Sequence, residues 1–135
     1  MRFAQLLLVV SAAAGFQASA QTTGWDTSGN GMLNGTYYFR QVVYQLSSAG
    51  DGSLADAASL YGTVSFSGTG TYTMNATLVD LAAQQLQAVT GVVGTYSIAA
   101  SGQGFLSSAL FPGDFIKGLV NQQGIFVGSS TETLN

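Results

Sequence analysis

After residue 32 apolar and polar residues alternate with a period of two along much of the chain, the pattern of strands with one face buried. The clearest stretch is Tyr61–Ser67, with Val64 and Phe66 on one face and Thr63, Ser65 and Ser67 on the other. Gly68-Thr69-Gly70 reverses the chain, and Thr71–Val79 returns with Tyr72, Met74, Ala76 and Leu78 on its apolar face. The two predict a hairpin. Leu33–Leu46, rich in Tyr and Val, predicts one long strand. Val92–Ala99 and Gly104–Leu110 predict a second hairpin around Ala100-Ser101-Gly102-Gln103. Asp114–Val120 and Gly124–Thr131 predict a third around Asn121-Gln122-Gln123.

Three stretches lack the alternation. Residues 21–32 are polar and Gly-rich and predict a flexible lead-in. Gly50–Ser59, with Asp51-Gly52-Ser53 and an Ala-rich run, predicts a loop with at most a helical turn. Asp80–Val89 holds Leu81, Leu86 and Val89 among Ala and Gln; its poverty in β-branched residues predicts a short helix over a wide loop.

A short unit recurs as Gly35-Thr36-Tyr37, Gly70-Thr71-Tyr72 and Gly94-Thr95-Tyr96. Its unequal spacing is not a solenoid period. Each copy is expected to open a strand, with Gly in the turn, Thr on the pleated surface and Tyr covering an end of the core.

About seven strands in sequential hairpins make an all-β antiparallel meander. Each strand's apolar face needs a covering layer, which a small barrel or a two-layer sandwich supplies. Turns short enough to join neighbours favour the barrel. The expected domain spans residues 33–135. Up-and-down barrels commonly close with about eight strands, so a chain ending at Asn135 after the seventh is expected to be truncated or to have its last edge covered by another protein.

The first residues bear on location. Met1-Arg2-Phe3 gives one positive charge, an apolar run extends from Leu6 to Phe16, and Ala18-Ser19-Ala20 has the small-x-small form that signal peptidase reads. Residues 1–20 are expected to be a signal peptide cleaved before Gln21. The run is shorter than the about 20 apolar residues of a membrane anchor. The mature chain is expected to be secreted or held at the cell surface.

Charge and residue usage narrow the chemistry. Only 7% of the 135 residues are charged, and the chain has no Cys and no His. Disulfides are excluded, and the usual zinc, iron and copper ligands are missing. After Arg2 the cations are Arg40 and Lys117, against Asp26, Asp51, Asp56, Asp80, Asp114 and Glu132. Two cations cannot displace the counterions of a nucleic acid, so no nucleic-acid partner is expected.

Asp26-Thr27-Ser28-Gly29-Asn30-Gly31 has the opening of a calcium loop, with Asn34 at its ninth position, but Tyr37 stands where a bidentate carboxylate belongs. A polar turn explains it better. Asp114 and the only lysine, Lys117, lie close in sequence, without a serine in a nucleophile elbow. A glycosidase needs two opposed carboxylates, and nothing in the spacing pairs the six acids. Asn34-Gly35-Thr36 and Asn75-Ala76-Thr77 match the glycosylation sequon. Tyr37, Tyr38, Phe39 and Tyr44 share a strand, so some rings must point outward. That stripe suits carbohydrate, a partner chain or lipid, while Trp25 is placed to cap a barrel end. No catalytic, cofactor-binding or metal-binding residue is assigned, no cofactor is expected, and the small-molecule ligand, if any, is undefined.

The runs Gly35-Thr36-Tyr37-Tyr38-Phe39-Arg40, Gly94-Thr95-Tyr96-Ser97-Ile98 and Gly124-Ile125-Phe126-Val127-Gly128-Ser129-Ser130 resemble the N-terminal β-domain of large secreted bacterial proteins of unknown function. The resemblance implies further extracellular β-modules as partners and brings no catalytic residues. The expected function is a non-enzymatic extracellular β-module with a structural or adhesive role, in contact with further β-modules or cell-surface material. The alternatives are a small calycin-like barrel holding an apolar ligand and an outer-membrane β-barrel.

Overall fold

The structure is a computed structural model that describes residues 25–108 and 111–130. The expected signal peptide and cleavage point lie outside these residues, as does Glu132. Seven antiparallel strands form one sheet in the order β1-β2-β3-β4-β5-β6-β7. They are β1 (Asn34–Leu46), β2 (Leu54–Ser67), β3 (Thr71–Asp80), β4 (Gln85–Ile98), β5 (Gln103–Ser107), β6 (Phe115–Val120) and β7 (Phe126–Ser129). The only helical element among the described residues is a 3-10 turn at Asn30–Met32. The all-β meander is as expected, but the sheet curls into a half-barrel. Among the described residues β1 pairs only with β2 and β7 only with β6.

The inner face carries the core. Leu60, Val64, Phe66, Tyr72, Met74, Tyr96, Ile98 and Val120 are buried there with Leu33. Phe66 is its hub: Tyr37, Tyr72 and Tyr96 lie round it with centroids 5.6, 5.9 and 5.1 Å away, the first and last edge-on. These are the tyrosines of the three Gly-Thr-Tyr units; the first two open β1 and β3 as expected, but Gly94-Thr95-Tyr96 lies inside β4, which begins at Gln85. Edge-on contact sets the positive rim of one ring against the negative face of another. The repeat therefore marks three points from which the curled sheet delivers a ring to one centre.

Glycine lets the sheet curl. Gly94 faces Tyr72 across the β3–β4 ladder, and a Cβ on Gly94 would fall within the Tyr72 ring. The Tyr72 hydroxyl then reaches the Ser107 carbonyl, 2.5 Å away. Gly104, Gly118 and Gly128 form a row across β5, β6 and β7. A Cβ on either of the last two would come 2.7 Å from the Phe126 ring. Missing side chains let strands bend and rings lie flat on the backbone.

Three expectations need correction. First, β2 starts at Leu54, so the Ala-rich part of Gly50–Ser59 is strand, with Ala57 opposite Tyr44 and Ala58 opposite Val43. The weak preference of alanine yields to ladder pairing on both sides of β2. Second, Asp80–Val89 contains no helix. Leu81–Gln84 is a tight turn and β4 begins at Gln85, with Leu86 opposite Val79. Asp80 Oδ1 accepts from the Ala83 amide at 2.8 Å and Asp56 Oδ1 from Ala82 at 3.3 Å, fixing the turn. Third, from Trp25 onward the lead-in is packed. The Gly29 amide donates to the Ile98 carbonyl at 2.8 Å, and the Tyr96 hydroxyl donates to the Leu33 carbonyl at 2.9 Å. This segment plugs the curled end of the half-barrel.

The turns at Gly68-Thr69-Gly70, Ala100-Ser101-Gly102 and Asn121–Gly124 fall where expected. At the first, Gly68 and Gly70 have φ of 78° and 118°, and Ser67 Oγ accepts from the amides of Thr69 and Thr71. The described part of β5 ends at Ser107, short of the expected Leu110.

Candidate functional site

The side chains that suggested a calcium loop are occupied by the protein's own backbone. Asp26 Oδ1 accepts from the Ser28 amide at 2.9 Å, Ser28 Oγ from Ala100 at 2.9 Å and Asn30 Oδ1 from Ile98 at 2.7 Å. The Ser28 hydroxyl and amide hold the Asp26 carboxyl below its usual range. Asn30, 6% exposed, takes the place of a neighbouring strand beside β4, beyond the point where β3 pairing ends at Thr95. A buried amide left without an acceptor is costly, and the Asn30 carboxamide supplies one. The twelfth position, Tyr37, donates its hydroxyl to Asn34 O at 3.3 Å.

The other acids also serve turns. Asp51 Oδ1 accepts from the Ser53 amide and hydroxyl at 2.9 and 2.6 Å, which lowers its pKa, the hydroxyl most. Asp56 and Asp80 hold the β3–β4 turn. Asp114 is buried at the start of β6, where its carboxylate takes the Phe115 amide. Lys117 is exposed on the outer face of β6, beside Phe105 of β5. No three His, Cys, Asp or Glu side chains come together to hold a metal among the described residues. Asn75 Oδ1 accepts from the Gly91 amide at 2.8 Å, at the bulge where the β3–β4 register shifts.

Two features of the outer face remain. The first is an open groove of about 530 Å³ whose lining includes Trp25, Asp26, Gln103, Phe105, Lys117 and Leu119. Trp25, 61% exposed, packs on Phe105 with centroids 4.1 Å apart, and Phe115 meets Phe105 edge-on at 5.0 Å. Trp25 thus lies on the outer face and does not cap a barrel end. Ser97 Oγ donates to the Asp26 carbonyl at 3.2 Å and holds that strip of chain down.

The second is the outer face of β1. Alternation sends Tyr37 and Phe39 inward and Tyr38 and Tyr44 outward, with exposures of 93% and 68% for the latter pair. Val42 and Leu46 are exposed on the same face, and Tyr61 and Leu54 of β2 extend the apolar area. Arg40 is the one charged residue of β1, and its Nε donates to Ser59 Oγ at 3.4 Å. Toward the start of β1 the outer face differs: Thr36, Ser65 and Thr73 form a hydroxyl row across β1, β2 and β3, with Thr36 Oγ1 2.8 Å from Ser65 Oγ.

The fold and these surfaces define an antiparallel half-barrel with a filled inner face and its accessible aromatic surface outside. No family model, curated protein or solved structure matches the chain.

Proposed function

We propose that the chain is an exported, non-enzymatic β-module that works through its outer surface, in a structural or adhesive role at the cell exterior. The observation that carries this reading is the exposed stripe of Tyr38, Val42, Tyr44 and Leu46 on a strand that, among the described residues, is paired on one side only. Contiguous exposed apolar surface marks interaction sites, and an unpaired strand edge offers backbone donors and acceptors to a partner. Export is supported by the sequence pattern of residues 1–20, a charged start, an apolar run and Ala18-Ser19-Ala20, and the partners proposed are further extracellular β-modules or cell-surface material. The resemblance to N-terminal domains of large secreted bacterial proteins agrees with this. The inner face is filled by Phe66 and its tyrosines, so a ligand inside a calycin-like barrel gains no support. The inner face is apolar, where a water-filled membrane barrel is polar.

The test is pelleting of the labelled, exported chain with cells of the organism that encodes it. Wild type is expected to pellet with the cells and the Tyr38→Ser/Tyr44→Ser variant to stay in solution. Equal pelleting of the two would overturn the reading.

A further inference from the structure

We infer that the free edge of β1 pairs with β1 of a second copy of this chain, antiparallel and centred on Val42. This names the partner of the surface just described and rests on that reading. Natural proteins blunt long edge strands with Pro, with several charges, with a cover or by keeping them short. Over its 13 residues β1 carries only Arg40 as a charge, and no Pro. The register shift against β2 lies at the far end, between Gln45 and Leu46, and its extra residue is Ala55 of β2.

The fold leaves one part of this edge clear. Gly124, in the turn between β6 and β7, lies close to the Met32 carbonyl and the Tyr37 hydroxyl, so the curled sheet crowds the start of β1. Among the described residues nothing in the sheet order lies beyond the edge from Tyr38 to Leu46.

Charge chooses the occupant. A strand without carboxylates gives an acidic partner only Arg40 to pair with, whereas a low-charge apolar strand matches every other outward position. A second copy supplies such a strand. Twofold pairing about Val42 sets Tyr38 opposite Leu46 and Arg40 opposite Tyr44. The guanidinium then meets a tyrosine ring. A register centred on Arg40 would instead oppose two like charges. The twofold axis keeps outer face with outer face, so the two stripes join into one apolar band on a sheet of twice the width. Such an interface is isologous, the commonest form among homo-oligomers.

The chain has no Cys, which makes the test clean. Mass is measured by sedimentation equilibrium on the exported chain at about 100 µM, enough to associate a dimer of micromolar Kd. Wild type is expected to be dimeric. Val42→Lys, which places like charges across the axis, should weaken the dimer by about 100-fold. Thr73→Lys, on the outer face of β3 and two strands in from that edge, should not.

Val42→Cys should form an intermolecular disulfide in oxidised glutathione, two thiols giving up two electrons and two protons to it. Directly opposed strand residues lie within the about 4.4–6.8 Å Cα separation that a disulfide needs. Tyr38→Cys alone should not, because its copies lie far apart across the axis. If Val42→Lys does not fold, the cysteine pair decides. A monomeric wild type, a Val42→Lys variant as dimeric as wild type, or equal cross-linking at both positions would overturn the pairing. A monomer that still pellets with cells refutes self-pairing and leaves the proposed function standing. A dimer whose Tyr38→Ser/Tyr44→Ser variant pellets unchanged refutes the function and not the dimer.

Discussion

Gly94→Ala is a substitution whose sign tests the packing of the core. In an ordinary strand position, Ala in place of Gly stabilises by about 0.5–1 kcal/mol, because the unfolded chain loses less freedom on folding. Gly94 has no positive φ, so its backbone accepts a side chain. The obstacle is the Tyr72 ring, whose Cζ, Cε1 and Oη occupy the place of the new methyl. That ring is held by Phe66 on one side and by the Ser107 carbonyl at its hydroxyl. Forcing a methyl into a packed core costs about 1–3 kcal/mol. The expected outcome is net destabilisation of about 1–2 kcal/mol, read as the shift in urea midpoint at constant slope. In a Tyr72→Leu background the ring atoms are gone, and Gly94→Ala should become neutral or stabilising. The cycle should thus show a coupling of about 2 kcal/mol between two residues 22 apart in sequence. Gly62→Ala is the control, because there a Cβ meets the Asn75 backbone, which changing Tyr72 does not relieve. A stabilising Gly94→Ala in wild type, or the same effect in both backgrounds, would refute the placement of the Tyr72 ring.

Asn30→Ala leaves the Ile98 amide without an acceptor at a buried position. It should cost about 1–3 kcal/mol, with hydrogen exchange accelerated at Ile98 before the centre of β3. Millimolar calcium should leave the melting temperature unchanged, because Asp26, Ser28 and Asn30 already accept backbone hydrogens; a rise on adding calcium, reversed by chelator, would contradict this. Burial raises the Tyr72 phenol above its ordinary value, the Ser107 side chain opposing in part. The folded state therefore holds this proton more tightly. Its contribution is complete below the ordinary value of about 10 and is lost as pH rises through the folded value. The urea midpoint of wild type should fall more steeply than that of Tyr72→Phe above that pH, and parallel curves would count against the burial.

The hairpins were legible because period-two alternation is strongest where one face is covered. Val64 and Phe66, then Tyr72 and Met74, face the core as the pattern indicates. Legibility failed where the sheet runs past the core. Ala55 and the stretch Gln85–Ala88 are exposed, so nothing there requires an apolar alternation. Their strand state is set by the ladders to β1 and β3, and ladders between distant residues leave no local mark. The calcium-like spacing of Asp26, Ser28 and Asn30 did carry a signal, since three acceptors converge on one region. What the spacing could not reveal is that the donors are amides of Ser28, Ile98 and Ala100, two of them about 70 residues away.

The closed end and the open edge follow from one distribution of glycine. Gly94, Gly104, Gly118 and Gly128 lie on the inner face toward the end where Phe66 and its tyrosines meet. Without side chains there, the strands bend sharply enough to bring Gly124 against Met32 and Tyr37, and the aromatic rings cover the exposed backbone. At the other end, residues 40–46, 54–60, 76–80 and 85–89 contain no glycine. Side chains at every position there oppose tight curling, so β1 to β4 project past the core as a broader sheet. A sheet that curls at one end only cannot bring β1 and β7 together along their lengths. The unpaired stretch Tyr38–Leu46 is therefore a consequence of the same residues that build the core. The filled interior leaves the outer edge as the surface that a partner of the proposed kind would meet.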